Sequence, residues 1–169
     1  DRWSFSRMFI SNTANGIWLN RVDMVEGANY TFSNISISNA LRGFNLAIIC
    51  NSGFFTPAFD NNIFSGITIN DSIDAFYINL TVASNARSTF RGNLFSGISM
   101  RNVSNGFRMY ANSLPTYAAN MSDNTFYNIS IINASAGFNF SINGSAEAKS
   151  INISASTIFG AATGILLLS

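Results

Sequence analysis

The sequence predicts an all-β solenoid, a rod built of stacked and similar coils. Three observations lead there. One pattern returns about every 30 positions along the 169 residues. Inside each copy apolar and polar residues alternate at period two, as in a strand with one buried face. No stretch carries the 3.6-residue stripe of an amphipathic helix, which sets aside helical repeat arrays of similar period.

The copies run in order from an apolar anchor. The first is Phe5, Met8, Ile10, Asn12, Gly16, Ile17 and Leu19; the second is Phe32, Ile35, Ile37, Asn39, Gly43, Phe44 and Leu46. The third is Phe64, Ile67, Ile69, Asp71, Ala75, Phe76 and Ile78. Then come Phe95, Ile98, Met100, Asn102, Gly106, Phe107 and Met109, followed by Phe126, Ile129, Ile131, Asn133, Gly137, Phe138 and Phe140. A weaker sixth copy is Ile153, Ser156, Ile158, Gly160, Gly164, Ile165 and Leu167. Anchors are 27, 32, 31, 31 and 27 residues apart, while spacing within a copy is constant. A rigid wall followed by a variable loop produces that behaviour.

One copy is too small to bury its own apolar face. Stacked at the ~4.8 Å of hydrogen-bonded strands, the copies share a continuous core, and five such steps make a rod about 24 Å long. Each coil holds three short strands. One is the Ile-x-Ile wall, and the second follows the glycine (107–110, 138–142). The third precedes the next anchor (89–93, 121–124). Seven residues after each anchor stand Asn12, Asn39, Asp71, Asn102 and Asn133. Side-chain amides stacked there are expected to form a ladder and to tolerate left-handed backbone. The glycine column four residues further on is expected to turn a corner with positive φ. Residues 1–169 thus form a single β-solenoid domain of about six coils, either complete or part of a longer one.

The recurring Asn-x-Phe-x-x-Ile-x-Ile-x-Asn-x-x-x-Gly-Phe line is best seen over 93–107 and 124–138. It resembles the single-stranded right-handed parallel β-helix of the pectin-lyase-like superfamily, which also includes tailspikes and surface proteins. The resemblance implies an architecture. It does not choose an activity, because lyases, hydrolases, adhesins and inert shafts share that scaffold.

Composition narrows the chemistry. Apolar residues make up 47% and charged residues only 10%, against roughly 25% charged in ordinary soluble domains. The 24 Asn and 24 Ser do the solvating instead. Net charge is +1 and the cations are scattered, so no nucleic-acid stripe is expected. The absence of His removes most acid–base triads and zinc sites. Cys50 stands alone, so no internal disulfide exists, and a buried apolar role is expected for it. The longest apolar run, 158–168, is too short to span a bilayer, which takes about 20 residues. No metal and no cofactor are expected.

Polygalacturonase-like relatives of the implied fold use clustered Asp, and pectate-lyase-like ones use acidic calcium ligands with a basic residue. The residual catalytic candidates here are Asp60 and Asp123, two coils or about 10 Å apart, with Arg91 nearby. Solvated charges at turns are the favoured reading of all three, so the chain is not expected to be an enzyme. Trp18, Tyr77, Tyr110 and Tyr127 are candidates for stacking on sugar rings.

Asn-x-Ser/Thr occurs at Asn29, Asn34, Asn70, Asn79, Asn102, Asn120, Asn128, Asn133, Asn139, Asn143 and Asn152. Asn34 and Asn128 share a turn two residues after the anchor, and Asn79, Asn120 and Asn143 lie in variable segments. These five are the expected glycan acceptors. Asn102 and Asn133 are turned toward ladder neighbours. No helical or polar cap is evident at either end of the stack, and open strand edges invite pairing. The expected function is therefore that of a structural extracellular or cell-surface protein, N-glycosylated, building a filament, fibre or appendage. Its expected partners are copies of itself, head to tail or side by side, and covalent glycans. A polysaccharide-acting enzyme, a carbohydrate-binding module and a virion spike are the alternatives.

Overall fold

A computed structural model describes residues 2–22, 29–51, 56–83, 86–114 and 118–168. They form a parallel β-solenoid of about five turns, with no helix among the described residues. The strands are β1 (Arg2–Val22), β2 (Asn29–Cys50), β3 (Ile63–Ser65), β4 (Thr68–Val82), β5 (Arg87–Thr89) and β6 (Leu94–Ser113). They continue with β7 (Ala118–Asn120), β8 (Thr125–Asn143), β9 (Asn152–Ser154), β10 (Thr157–Phe159) and β11 (Thr163–Leu168). The main sheet pairs β1 with β2, β2 with β3 and β4, these with β6, and β6 with β8. Strands β9, β10 and β11 cover the far side of β8, and β5 pairs with β7 in a small second sheet.

The register is that of the repeat. Phe5 pairs with Phe32, Phe32 with Phe64, Phe64 with Phe95, Phe95 with Phe126, and Phe126 with Ile153. Like side chains therefore touch like. The anchor rings stack with centroids 5.2, 5.0, 4.6 and 4.8 Å apart. A second column, Phe44, Phe76, Phe107 and Phe138, stacks at 4.8, 4.7 and 5.0 Å. The two columns meet edge to face, as at Phe95 and Phe107, the geometry that ring quadrupoles favour. Ile35, Ile67, Ile98 and Ile129 fill the third side of this core, and Cys50 is buried within it.

The coils turn at three left-handed columns, the first of which is absent before the first two anchors, where Arg2 and Asn29 lack positive φ. One column is Asn61, Gly92, Asp123 and Ser150; the next is Arg7, Asn34, Gly66, Gly97, Asn128 and Ala155. The last is Asn12, Asn39, Asp71, Asn102, Asn133 and Gly160, with φ between 51° and 68°. Asn, Asp and Gly dominate because they carry the smallest penalty for this conformation. The expected asparagine ladder lies on the last of these corners, on the outside of the rod. Asn39 Nδ2 donates to Asn12 Oδ1 at 3.4 Å, Asn102 Nδ2 to Asp71 Oδ1 at 3.0 Å, and Asn133 Nδ2 to Asn102 Oδ1 at 3.2 Å. Asp71 has no N–H to donate, so the ladder runs as two segments.

Two expectations need correction. The glycine column does not turn a corner: Gly16, Gly43, Gly106, Gly137 and Gly164 lack positive φ. Its reason is close approach. A Cβ on Gly106 would lie 2.6 Å from the Gly137 carbonyl oxygen and 2.6 Å from Ile131 Cδ1. The third strands also lie earlier than the expected 89–93 and 121–124, at Arg87–Thr89 and Ala118–Asn120, and the left-handed corners at Gly92 and Asp123 fall where they were expected to run.

A second ladder lies inside the core, at the Asn two residues before the anchor. Asn62, Asn93 and Asn124 are fully buried. Asn93 Oδ1 accepts from the Asn62 backbone N–H at 2.9 Å and from Asn62 Nδ2 at 2.8 Å. Asn93 Nδ2 donates to Asn124 Oδ1 at 2.9 Å and to the Phe59 carbonyl at 3.1 Å. Both donors and both acceptor sites of that amide are used, which is what allows so polar a group to stay buried.

Candidate functional site

The structure brings two of the residual catalytic candidates, Asp60 and Arg91, together as an ion pair between neighbouring coils. Asp60 is tied to its neighbouring coil: it accepts from Thr89 Oγ1 at 2.9 Å and from the Arg91 backbone N–H at 2.7 Å. The Arg91 guanidinium lies 3.4 Å from the same carboxylate. Asp123 stands exposed on a left-handed corner, where its backbone N–H donates to the Lys149 carbonyl. Arg91 also lines a shallow recess of about 330 Å³ with Arg87, Thr89, Ala118, Asn120 and Glu147. Neither Asp60 nor Asp123 lines it. Among the described residues no three acidic, His or Cys side chains converge as metal ligands would.

A different charged cluster was not singled out from the sequence. The Asp74 side chain is 3% exposed and lies between Arg42, at 3.8 Å, and Arg108, at 3.7 Å. Asn105 Nδ2 donates to its other oxygen at 2.8 Å. The Arg42 guanidinium sits 3.9 Å above the Tyr77 ring, and Arg108 Nε donates to the Tyr110 hydroxyl at 2.6 Å. Burial by itself would lower the Arg108 pKa. The Tyr110 hydrogen bond and the charge of Asp74 outweigh it, so the guanidinium is held above its usual range. Asp74, Asn105 and Arg42 share one column, ten residues after the anchor, and Tyr77, Arg108 and Asn45 share another. Column-by-column comparison of the polar residues would have found the cluster.

The arrangement ties three coils together through one carboxylate shared by two arginines. Its test is Asp74→Ala. Both arginines are about a third exposed, so the loss is expected at ~1–3 kcal/mol, below the 3–5 of a fully buried pair. Urea denaturation, with Asp74→Asn retaining the Asn105 contact and losing less, measures it.

Of the aromatic candidates, Trp18 and Tyr127 are exposed, whereas Tyr77 and Tyr110 are engaged by the arginines. Among the expected glycan acceptors, Asn34, Asn128 and Asn143 are exposed. Asn79 and Asn120 are half-buried, and their Oδ1 atoms accept from Thr81 and from the Ser122 backbone.

The most distinctive surfaces are the outer faces of the first and last described coils. Among the described residues strand β1 pairs only with β2, and β9, β10 and β11 pair only with β8. Each leaves a parallel strand edge and a ring of inward-type residues uncovered. Leu167 is 72% exposed, whereas Leu46, Ile78 and Met109 in the same column are fully buried. Ile165 and Leu167 border a recess of about 340 Å³ with Phe140, Ala148, Ile151 and Ile153. Phe5, Met8, Ile10, Ile17 and Leu19 are likewise only partly buried at the opposite face.

Fold and surfaces together define a repeat protein of the parallel β-solenoid class. No protein-family model matches the chain, and neither does any curated protein or solved structure. No helix among the described residues is long and apolar enough to cross a membrane.

Proposed function

We propose that this chain is a structural, extracellular β-solenoid, a building block of a filament, fibre or surface appendage, and that it carries N-linked glycans. The observation that carries the reading is the pair of open coil faces. They present the same columns that the rod buries inside, so another coil is their natural cover. The lateral wall adds support. Its charges are few and locally paired, as at Asp60 with Arg91 and Asp74 with Arg42 and Arg108. Sugars on the exposed Asn34 and Asn128 would project from a corner column and would solvate a wall poor in charge.

Electron micrographs of native material are expected to show rods many times longer than one chain. Its intact mass is expected to fall on enzymatic deglycosylation. A field of single short particles at every concentration would overturn the structural reading, and a mass unchanged by that treatment would remove the glycans from it.

A further inference from the structure

We propose that the outer face of the last coil receives the first coil of a second copy of this chain, head to tail and in register. Ile10 and the Gly16 carbonyl of that copy then sit on Gly164. The proposal rests on the structural reading above and adds the partner, the direction and the register of the contact.

The argument comes from what each column glycine meets. A Cβ on Gly16 would lie 2.6 Å from the Gly43 carbonyl oxygen and 2.9 Å from Ile37 of the next coil. On Gly43 it would meet the Ala75 carbonyl at 2.6 Å and Ile69 at 2.9 Å. On Gly137 it would meet the Gly164 carbonyl at 2.6 Å and Ile158 at 2.7 Å. The step at Gly106 repeats this against Gly137 and Ile131. One step differs. The column holds Ala75 there, and the next coil carries Met100 where the others carry Ile. A β-carbon is admitted where an unbranched, adaptable side chain replaces the branched one.

Gly164 follows no such need among the described residues. The nearest atom to its Cβ position is Ile158 Cδ1 at 4.0 Å, ordinary contact, and its φ is not left-handed. Any residue fits there, yet the column keeps glycine. The first coil supplies what the vacancy matches: Ile10 in the Ile place and Gly16 in the carbonyl place, so the pair obeys the Ile-on-Gly rule of the interior steps. In the same register Phe5 covers Ile153, Ile17 covers Ile165 and Leu19 covers Leu167. The contact continues an interface the chain already repeats five times, from β1–β2 to β8 with the last coil. It is heterologous and does not close on itself, so it propagates.

The test uses the full chain. Light scattering and sedimentation of the wild type are expected to show growth with concentration. Gly164→Val is expected to leave the circular-dichroism spectrum and Tm of the monomer unchanged while weakening association at least about tenfold. Gly164→Ala is expected to weaken it less, and Ile10→Met in the same chain to restore it, as Met100 accommodates Ala75. Four results overturn the proposal. Assemblies indifferent to Gly164→Val place the contact elsewhere, although the structural reading stands. A wild type monomeric at every concentration, beside native filaments, removes the second copy as occupant. So does a fall in Tm of the Gly164→Val monomer, because a segment of the same chain then covers the site. Native material that is itself monomeric removes both this proposal and the reading beneath it.

Discussion

Gly106→Ala is expected to destabilise the protein by at least about 3 kcal/mol, the upper end of overpacking costs. One added methyl group meets the Gly137 carbonyl oxygen and Ile131 Cδ1, both at 2.6 Å. The carbonyl is main chain in a sheet ladder and the branched Ile131 closes the other side, so the methyl group has no way to shift and the two coils must separate locally. Separation loosens the stacked Phe107 and Phe138 rings, now 5.0 Å apart. A chemical-denaturation midpoint measures the loss. The double variant Gly106→Ala with Ile131→Met is expected to recover much of it, because the Ala75 and Met100 step shows the same exchange already made. Equal stability of Gly106→Ala and wild type would mean that the column spacing does not determine coil separation.

That column also shows where a sequence speaks clearly and where it misleads. Recurrence of glycine at one place in every coil was legible, and so was its importance. Its cause was not, because glycine serves both positive φ and close approach, and only coordinates separate the two. The left-handed corners fell instead on Asn, Asp and Gly in three other columns. Two of these hold Arg7, Ser150 and Ala155 among their members, residue types that carry no such signal. The anchors, the period-two walls and the register were fully legible, since burial of one face repeats identically in each coil. The positions of the third strands were not, since left-handed corners at Gly92 and Asp123 fall where those strands were expected to run.

The charged cluster was hidden for a different reason. Asp74 stands three residues after Asp71, and neighbours three apart on a strand face opposite ways. Asp71 lies exposed on the outer ladder, while Asp74 is buried against the arginines of the coils above and below. Partners in a solenoid lie about 31 residues away rather than nearby, so only vertical reading exposes them. The same blindness applied to Asn62, Asn93 and Asn124. The Asn heading the repeat line is visible as part of a motif, but nothing in its spacing separates a buried ladder from the solvent-facing one seven residues after the anchor.

Replacing Asn93 with Ala is expected to cost at least about 3 kcal/mol, from three deserted buried groups at about 1–3 each. The Asn62 backbone N–H and Asn62 Nδ2 lose their shared acceptor, and the Phe59 carbonyl loses its donor. Water does not reach these atoms, since Asn62 and Phe59 are almost completely buried. A loss of this size is a large share of the 5–15 kcal/mol that holds a typical domain together. Asn93→Asp is expected to be no better, because it brings an oxygen against the Asn124 Oδ1 and Phe59 carbonyl acceptors. Asn102→Gly is the matching test on the outer ladder. It keeps the left-handed corner, where φ is 54°, and removes only exposed amide contacts, so its cost is expected below about 1 kcal/mol. Urea midpoints for the three variants decide the matter. If Asn93→Ala and Asn102→Gly lost similar amounts, burial would not be what gives the inner amides their weight, and the two ladders would be equivalent.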